Sequence, residues 1–457
     1  MTNQLDKFFN AKSIAIIGAS RKIGTIGNSI LSNFGKDFKG NVYPINPNAT
    51  EILGRKAYPS VLKVPGKIDM AVIAVPAQIV PRILGECGKK KIPAVAIISS
   101  GFSEIGANEL EDEVKNIARK HKIRLIGTNC LGVLDPYSKI DTLFLPERKM
   151  TRPKPGNIAF ISQSGAVGSV VLDWIASEGF GVSKFISYGN ATDTNESDWI
   201  DYLGNDKKTK VICAYMEGAS DGKRLMKTAA RVSKKKPILV IKGGKTEAGS
   251  KAVRSHTGSL AGSDEVYGAA FKQSGMIRVD SVEEMFDFAR VLSEQPVAKG
   301  GRVLVITNGG GFGILAADAV IENGLRLAEL EEKTKSAVRK AMPSYARINN
   351  PLDLVGDADP ARYKIALDAV MNDKNVDAVL CITLFQTVSL EPEVVKHIID
   401  FSNKSPKPIV VCSAGGPFIQ KQRKGLEESS VPSYESPARA AKALWCLVNY
   451  GHIAGKK

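Results

Sequence analysis

Short runs of β-branched and other apolar residues alternate along this chain with longer stretches whose apolar positions have a helical spacing. Three of the runs end in small or turn-forming residues and lead directly into a helical pattern; they cover 13–20, 157–165 and 302–310. A strand, a tight turn and a helix in repeated succession are typical of parallel sheets that helices cover on both faces. The pattern therefore predicts an α/β protein.

The second and third of these openings repeat each other at a fixed offset of 145 positions. The matching pairs are Gly165 and Gly310, Gly168 and Gly313, Asp173 and Asp318, and Gly179 and Gly324. Such a repeat indicates two domains that share one fold. Stretches rich in proline, glycine and charge at 147–156 and 294–301 predict the linkers. We therefore predict three domains, at 1–150, 156–294 and 300–457.

The composition is that of a soluble globular protein: of 457 residues, 43% are hydrophobic and 24% are charged. The N-terminus lacks the apolar stretch of a signal peptide, and no run approaches the roughly 18 apolar residues of a membrane span. The six cysteines are scattered without paired spacing, so neither a disulfide framework nor a zinc site is expected. We expect a cytoplasmic protein with no membrane partner and no metal site of its own.

The formal net charge of +16 favours anionic ligands such as phosphates. Two lysine runs, at 89–91 and 234–236, precede prolines at predicted helix ends, where cations complement the helix dipole. A solvated helix end explains these runs without a binding role. Because no basic stripe is interleaved with aromatic residues, nucleic acid is not an expected partner.

Each of the two repeated openings predicts a glycine-lined helix N-terminus at the carboxyl edge of a sheet, where open α/β folds bind ligands. A helix N-terminus presents unpaired backbone N–H groups and a partial positive charge. Two matched termini, beginning near Ser164-Gly165 and near Gly309-Gly310-Gly311, suggest two phosphate-binding stations. The alternative is that these glycines only permit tight strand-to-helix turns.

His256 is one of only four histidines and lies in a short polar, glycine-containing stretch, 254–259, that follows a strand-like run at 237–242. A histidine on such a loop can reach in more than one direction, as is required of a nucleophile that collects a group at one site and delivers it at another. A solvated loop histidine is the alternative interpretation.

The first opening resembles a dinucleotide-binding fingerprint but breaks its spacing. Ser20 replaces the second glycine of that motif, and Asn46 follows the second strand where an acid would hold the ribose of NAD. An NAD-dependent dehydrogenase is therefore disfavoured. The binding of another nucleotide-like ligand that carries phosphates stays open. A separate Gly-Lys-Thr at 244–246 lacks the leading glycine of a P-loop, because Leu239 stands there.

Taken together, the motifs of the whole chain resemble one family, the α subunits of ADP-forming acyl-CoA synthetases, including acetate–CoA ligase (ADP-forming), which are relatives of succinyl-CoA synthetase. The stretches that carry the resemblance are Ser255–Gly262, Ile161–Gly165, Gly127–Gly132 and Asn349–Leu354. The resemblance implies a Rossmann-type CoA-binding domain followed by two flavodoxin-like ligase domains.

The resemblance also implies roles for individual residues. His256 is the residue that would be phosphorylated, and Glu217, after a strand-like run at 211–215, matches the glutamate that bonds it. The implied phosphate contacts are Ser162, Gln163, Ser164, Gly165, Gly309, Gly310 and Gly311. The implied CoA contacts are Gly18, Ala19, Ser20, Asn46, Pro76 and Ser100.

The implied reaction interconverts acyl-CoA, phosphate and ADP with acid, CoA and ATP, through an acyl phosphate and a phosphohistidine. In this family the nucleotide binds an ATP-grasp subunit or segment, which the sequence does not supply. The resemblance therefore implies a β partner, an α2β2 assembly, and Mg²⁺ with ADP or ATP mainly on that partner. It does not select an acid. A succinate- or citrate-type CoA ligase subunit and a non-catalytic CoA-sensing module are the alternatives.

Overall fold

The structure is a computed structural model that describes residues 4–35, 37–251 and 263–455. The chain divides into two compact units, Met1–Met285 and Phe286–Lys457. In the described part of the chain, no helix is long and apolar enough to cross a membrane. Each unit is built from mainly parallel sheets with helices between the strands, so the predicted α/β class is confirmed.

The first sheet is parallel and has the strand order β2-β1-β5-β6-β7. Its strands are β1 (Ser13–Ile17), β2 (Asn41–Ile45), β5 (Met70–Ile73), β6 (Ala94–Ile97) and β7 (Arg124–Ile126), and a small hairpin is formed by β3 (Glu51–Ile52) and β4 (Arg55–Lys56). The helices of this region are α1 (Lys7–Asn10), α2 (Ile26–Asn33), α3 (Val80–Lys89) and α4 (Asn108–His121). The strand order reverses at β1, because β2 lies on one side of it and β5 on the other. Doubly wound folds bind ligands at such a switch point.

The turn from β1 to α2 depends on two glycines. Gly18 has a φ of +90°, which is accessible mainly to glycine. A Cβ on Gly27, in the first turn of α2, would lie 1.9 Å from the carbonyl oxygen of Gly18. The helix therefore starts in direct contact with the turn, and a side chain at Gly27 would separate them.

The second sheet has the order β14-β13-β12-β10-β11-β8-β9. Its strands are β8 (Gly132–Asp135), β9 (Ile140–Asp141), β10 (Lys154–Ser162), β11 (Gly181–Ser187), β12 (Val211–Met216), β13 (Ile238–Lys242) and β14 (Ile277–Arg278). The helices are α5 (Gly165–Ser177), α6 (Glu196–Asn205), α7 (Gly222–Val232) and α8 (Asp264–Ser274), and α9 (Val282–Glu294) spans the boundary between the units.

The stretch 147–156, predicted as a linker, is not entirely irregular. Strand β10 already begins at Lys154 and pairs with Gly181 and Val182 before a bulge between Pro155 and Ile158. Proline has no N–H to donate, so a bulge is a favourable place for Pro155. Upstream, β8 and β9 pair antiparallel with the second sheet, so the chain joins that sheet before the predicted linker.

The first two sheets share one continuous core, which explains why they form one compact unit. A single cluster of buried residues includes Ile14 and Val72 of the first sheet and Ile161 and Ile212 of the second. The N-terminal helix α1 joins the same core: the rings of Phe8 and Trp199, on α6, lie 5.8 Å apart in an edge-on arrangement. Separating these sheets would expose this apolar surface.

The third sheet, in the second unit, has the order β16-β15-β18-β19-β20, and β17 pairs separately with β15. Its strands are β15 (Arg302–Thr307), β16 (Arg326–Leu327), β17 (Leu352–Asp353), β18 (Ala378–Ile382), β19 (Ile409–Cys412) and β20 (Ser433–Tyr434). The helices are α10 (Gly310–Glu322), α11 (Glu332–Arg339), α12 (Pro360–Met371), α13 (Glu393–Lys404), α14 (Pro417–Glu428) and α15 (Pro437–Gly455).

The predicted internal repeat is confirmed by the matched elements of the second and third sheets. Helix α5 begins at Gly165 and ends at Ser177, and α10 begins at Gly310 and ends at Glu322, so both bounds keep the offset seen in the sequence. In both sheets the parallel strands follow the flavodoxin-like order 2-1-3-4-5. The two domains therefore share one fold.

Replacement of Gly27 by alanine tests the close contact between α2 and the β1 turn. We expect Gly27→Ala to lower the free energy of unfolding of the first unit by about 1–3 kcal/mol, because the new methyl group meets backbone rather than a movable side chain. The measurement is denaturant or thermal unfolding followed by circular dichroism.

Gly85, in the interior of α3, is the matched control, because a Cβ there meets no atom within 4 Å. Gly85→Ala should leave stability unchanged or raise it by up to about 1 kcal/mol, since alanine is the better helix former. A Gly27→Ala protein as stable as Gly85→Ala would contradict the contact.

Candidate active site

Polar side chains gather at the carboxyl edge of the second sheet, where each of four neighbouring strands ends. Gln163 follows β10, Tyr188 follows β11, Glu217 follows β12, and Lys242 is the last residue of β13. The carboxyl edge of a doubly wound sheet is where such folds bind ligands. The structure therefore places the predicted Gln163 and Glu217 at one edge.

Gln163 connects the start of α5 with the loop that carries Glu217. Its side-chain Oε1 accepts hydrogen bonds from the backbone N–H of Glu217 at 2.8 Å and of Gly218 at 3.2 Å. Its own backbone N–H donates to the carbonyl of Tyr215 at 3.1 Å. Two of the residues singled out from the sequence are thus in direct contact, and the position of one fixes the backbone of the other.

Glu217 is only 5% exposed, so its carboxylate lies in a largely desolvated setting. The hydroxyl of Tyr215 donates to its Oε1 at 3.4 Å. Burial, and then the neighbouring Glu217, raise the pKa of Tyr215 to about 12, which keeps this hydroxyl protonated and able to donate.

Lys242 supplies a buried cation to the same edge. Its Nζ donates to the carbonyl of Gly243 and lies 4.6 Å from the centroid of the Tyr267 ring. Burial lowers the pKa of Lys242, while the charges of Asp264 and Glu217 act in the opposite direction. A cation beside a ring and within the field of Glu217 offsets part of the negative charge at this edge.

Helix α5 begins at Gly165, two residues after Gln163. The hydroxyl of Ser162 donates to the carbonyl of Ser164 at 2.6 Å, and Ser164 caps the helix by accepting from the backbone N–H of Val167 at 3.3 Å. Gly165 is half-buried and Ala166 is exposed. The predicted turn therefore exists, and it presents the N-terminal end of a thirteen-residue helix at the carboxyl edge of the sheet.

The second unit has the matching turn, in which Thr307 takes the place of Ser162. Its hydroxyl donates to the carbonyl of Gly309 at 3.0 Å and accepts from the backbone N–H of the same residue at 3.0 Å. Gly310 and Gly311 are exposed at the start of α10. The predicted second glycine turn is thus present, with the geometry of a helix N-terminus in its own unit.

His256 lies outside the described residues, between Lys251 and Ser263. The described chain resumes at Ser263, which caps α8 by accepting from Val266 at 3.3 Å. In the first turn of α8 the hydroxyl of Tyr267 accepts from the backbone N–H of Ala219, two residues beyond Glu217, at 2.9 Å. Helix α8, the first described helix after His256 in the sequence, is therefore anchored against the Glu217 loop.

A separate cavity of about 230 Å³ lies at the switch point of the first sheet. Gly18 and Asn46, both predicted from the sequence, line it, and the other lining residues are Ile17, Ile45, Pro47, Pro59, Ser60, Val61, Val75, Ile79, Arg82, Ile83 and Glu86. The side-chain amide of Asn46 donates to the carbonyl of Ala19 at 2.7 Å. Asn46 therefore fixes the glycine turn where an acid would stand in an NAD-binding protein.

The remaining residues predicted for CoA lie around this edge in different settings. Ala19 is fully buried, so its side chain belongs to the core, and only its backbone carbonyl takes part in the turn. Ser20 is half-buried, and its hydroxyl accepts from the backbone N–H of Lys22 at 3.0 Å. Pro76 and Ser100 are exposed and follow β5 and β6.

Sequence reasoning missed Tyr188, Glu196 and Lys242. Tyr188 is fully buried, and burial followed by the charges of Glu196 and Glu217 raises its pKa well above the usual value. Glu196 opens α6. The signal that could have found Lys242 is a charged residue that ends an otherwise apolar strand, just before two glycines. Tyr188 and Glu196 gave no such signal, because only the fold brings them near Glu217.

The buried carboxyl of Glu196 predicts a dependence of stability on pH. Glu196 is 2% exposed, its Oε1 has no hydrogen-bond partner in the described structure, and burial raises its pKa to about 7 from 4.5. Between these values the folded protein binds a proton that the unfolded chain has released. The free energy of unfolding therefore falls as the pH rises through this window, and the penalty is complete above it.

We expect Glu196→Gln to stabilise the first unit more at pH 8 than at pH 5, with a difference on the order of 2 kcal/mol. Denaturant unfolding at the two pH values measures it. Glu113→Gln, which removes an exposed carboxylate from α4, is the control and should change stability equally at both. Equal effects of the two substitutions would show that Glu196 is not desolvated in the folded protein.

Comparison with known families covers nearly all of the chain. A CoA binding domain model matches 12–136, a succinyl-CoA ligase like flavodoxin domain model matches 155–292, and a ligase-CoA domain model matches 303–446. The folds observed for the three sheets agree with these models.

Curated relatives and solved structures lead to the same family. The chain is 43% identical over 99% of its length to the α subunit of acetate–CoA ligase [ADP-forming] I of Pyrococcus furiosus, and it covers 99% of that protein. It is 40% identical to acetate–CoA ligase [ADP-forming] I of Archaeoglobus fulgidus and 43% identical to the Methanocaldococcus jannaschii enzyme, of which it spans 64% and 63% of the length.

Among solved structures, the chain is similar to a dinucleotide-forming acetyl-coenzyme A synthetase 1 of Ca. Korarchaeum cryptofilum in complex with phosphate and ADP. The TM-score is 0.93 at 38% identity, and the match covers 99% of this chain and 98% of that one. The resemblance predicted from the motifs is confirmed: the chain belongs to the family of ADP-forming acyl-CoA synthetases that includes the α subunits of the ADP-forming acetate–CoA ligases.

Proposed function

We propose that this chain is the CoA- and phosphate-handling subunit of an ADP-forming acid–CoA ligase. It would interconvert acyl-CoA, phosphate and ADP with acid, CoA and ATP, through an acyl phosphate and a phosphorylated His256. The observation that carries the proposal is the contact between Gln163, at the start of α5, and the backbone of the buried Glu217. One hydrogen bond thereby joins the predicted phosphate turn to the predicted partner of His256.

The first step takes place between bound CoA thioester and phosphate. We assign CoA to the cavity at the switch point of the first sheet, lined by Gly18 and Asn46, because the domain matches a CoA binding domain model and the cavity lies where such sheets bind nucleotides. The predicted contacts at Ala19, Ser20, Pro76 and Ser100 belong to this assignment. A phosphate oxygen attacks the thioester carbonyl, an acyl phosphate forms, and CoA leaves as the thiol.

We assign the phosphate to the helix N-termini. At α5 the contacts would be Ser162, Gln163, Ser164 and Gly165, and the matched turn of the second unit would contribute Gly309, Gly310 and Gly311. Backbone N–H groups at the start of a helix, together with the helix dipole, stabilise an anion by about 0.3–1 kcal/mol at an exposed end and up to ~2 kcal/mol when partly buried. The effect is largest on the multiply charged phosphoryl group.

The second step transfers the phosphoryl group to a nitrogen of His256 and releases the free acid. The attacking nitrogen needs a lone pair, so the ring must be neutral, with its proton on the other nitrogen. A carboxylate that accepts that N–H fixes the tautomer and stabilises the positive charge that develops on the ring. We assign this role to Glu217, because it is buried, held by Gln163, and followed by the loop on which α8 is anchored.

The third step passes the phosphoryl group to ADP, which we place on a partner with an ATP-grasp domain in an α2β2 assembly. Two relatives support a partner. This chain spans only 64% of the length of the Archaeoglobus relative, and the Pyrococcus relative is named as an α subunit. The Korarchaeum relative binds phosphate and ADP. Mg²⁺ would accompany the nucleotide on the partner and would offset part of the negative charge of its phosphates. In the described part of this chain, no three histidine, cysteine or acidic side chains converge as a metal site requires.

We propose a cytoplasmic enzyme whose acid is a small monocarboxylate. Relatives at 39–43% identity are named for acetate and 4-hydroxybutyrate. Cys130 is not assigned a chemical role: its thiol is buried and donates to the carbonyl of Ile97 at 3.3 Å, and burial raises its pKa to about 12. A thiol in that setting is a poor nucleophile at neutral pH.

Phosphorylation of His256 is tested by incubating the chain with its partner, Mg²⁺ and ATP labelled on the γ-phosphate. We expect acid-labile, base-stable label on this chain and its complete loss in His256→Asn, because the asparagine amide is not nucleophilic. Replacement of another histidine, His397→Asn, should leave the label in place. Label that persists in His256→Asn would refute the assignment.

The role of Glu217 is tested by Glu217→Gln in the same assay. Without the carboxylate the tautomer and the developing charge of the ring lose their support, so the phosphorylation rate should fall by about 10²-fold or more, whereas CoA affinity measured by calorimetry should change by less than about twofold. A collapse of CoA affinity would show that Glu217 belongs to the CoA site instead.

A further inference from the structure

Three loops of the first unit are joined by a small polar cluster, which we call the Asn190 joint: Glu104, Glu111, Thr128, Asn190 and Thr192. The cluster lies between the carboxyl edges of the first and second sheets. Glu104 and Glu111 come from the region after β6, Thr128 from the turn after β7, and Asn190 and Thr192 from the loop after β11. The proposed reaction uses none of these residues.

Glu111, in the first turn of α4, accepts hydrogen bonds from all three loops. Its carboxylate accepts from the side-chain amide of Asn190 at 3.0 Å and from the hydroxyls of Thr128 at 3.3 Å and Thr192 at 3.1 Å. It also accepts from the backbone N–H of Ser103 at 3.1 Å. A carboxylate with four donors from three loops restrains those loops relative to one another.

Asn190 lies between two carboxylates. Its amide nitrogen donates to Glu104 at 2.7 Å and to Glu111 at 3.0 Å. Burial acts to raise the pKa of Glu104, but hydrogen bonds from Asn190 and from the backbone of Gly101 lower it below its usual value. The amide therefore donates to two carboxylates that approach the same point, which a third anion or an apolar group could not do.

Backbone hydrogen bonds also join the loop after β11 to the turn after β7. The N–H of Asn190 donates to the carbonyl of Thr128, and that of Thr192 to the carbonyl of Gly127, both at 3.0 Å. A Cβ on Gly189 would lie 2.2 Å from the carbonyl oxygen of Thr128. The loop after β11 thus lies directly on the turn after β7.

The turn held in this way reaches both assigned sites. On one side, the N–H of Asn129 donates to the carbonyl of Ser99 at 2.9 Å, next to Ser100 at the CoA edge. On the other side, the N–H of Leu131 donates to the hydroxyl of Ser187 at 3.0 Å. The side chain of Leu131 is also the group nearest to a Cβ on Gly165, at 3.6 Å. The segment from Asn129 to Leu131 therefore connects the CoA edge with the start of α5.

We infer that Asn190 and Glu111 are positioning residues for the thioester step: they fix the turn at 127–131 and thereby the distance between the CoA edge and the phosphate turn of α5. The inference rests on the proposed function. Attack requires the reacting atoms to be held about 3–3.5 Å apart, and a displacement of about 1 Å can lower the rate by about 10²-fold. The joint acts on alignment alone, so binding of either ligand should not depend on it.

The experiment compares two routes that lead to phosphorylated His256 in the full-length chain. Labelled acetyl phosphate transfers its phosphoryl group to His256 without CoA. Labelled inorganic phosphate with acetyl-CoA must first form acetyl phosphate, and it releases CoA that a thiol reagent detects. We expect Asn190→Ala to lower labelling by the second route by about 10²-fold and to change labelling by the first, and CoA affinity, by less than about twofold.

Asn190→Asp adds a readout that loss of structure alone would not produce. A third carboxylate against Glu104 and Glu111 should slow the CoA-dependent route above neutral pH, and protonation of the cluster should restore part of the rate as the pH falls. Arg124→Ala is the matched control: Arg124 also joins the two sheet regions, through Asp193 at 2.9 Å, but its ion pairs, with Asp193 and Asp198, involve none of the five residues of the joint. It should leave both routes within about twofold of the unmodified chain.

The outcomes separate the inference from the proposed function. If the unmodified chain is not labelled by acetyl phosphate, the proposed function fails, and the inference fails with it. If it is labelled, but Asn190→Ala matches Arg124→Ala in the CoA-dependent route, the joint does not position the reactants. Equal losses by both routes, or loss of CoA binding, would show that Asn190 acts on folding or binding and would overturn the inference.

Discussion

The buried carboxylate of Glu217 is the constraint on which the arrangement of the second sheet depends. A carboxylate that is 5% exposed is tolerated only where hydrogen bonds and opposite charge replace the water that it has lost. Here Tyr215 donates to the carboxylate, Gln163 holds its backbone, and the buried cation of Lys242 acts on it through space. Each of these groups comes from the end of a different strand or the turn after it. Parallel strands that end at one edge are therefore a requirement of the site and not only its scaffold.

The two matching turns each carry one side-chain amide, Gln163 or Asn308, and the two amides make different hydrogen bonds. In the third sheet, Asn308 accepts from the backbone N–H of Leu384 and donates to the hydroxyl of Thr387, so its amide closes a local network. In the second sheet the corresponding Gln163 has one more methylene group and reaches the backbone of Glu217. The same fold thus places a side-chain amide at the matching position of both domains, and in the second sheet this amide connects a helix N-terminus with the backbone of a buried acid.

The first two sheets form one compact unit, because they share a hydrophobic core and are joined by hydrogen bonds at their carboxyl edges. Apolar residues of both sheets form one buried cluster, and α1 packs its phenylalanines on α6. At the carboxyl edges the connection is polar, through Glu111 and Asn190. Apolar packing fixes the distance between sheets but not the orientation of individual loops, because it is not directional, whereas hydrogen bonds with defined donors and acceptors fix both.

The sequence alone determined the α/β class, the duplicated domains and the identity of the turns at Gly165 and Gly310, because strand, turn and helix signals are local and the repeat is visible at a constant spacing. It also named Gln163 and Glu217, through the family resemblance. Only the tertiary structure decided that these two residues touch, that β8 and β9 join the second sheet, and that Lys242, Tyr188 and Glu196 surround the same edge. Those relations join residues that are far apart along the chain, and they arise from strand order and burial, which no local pattern records.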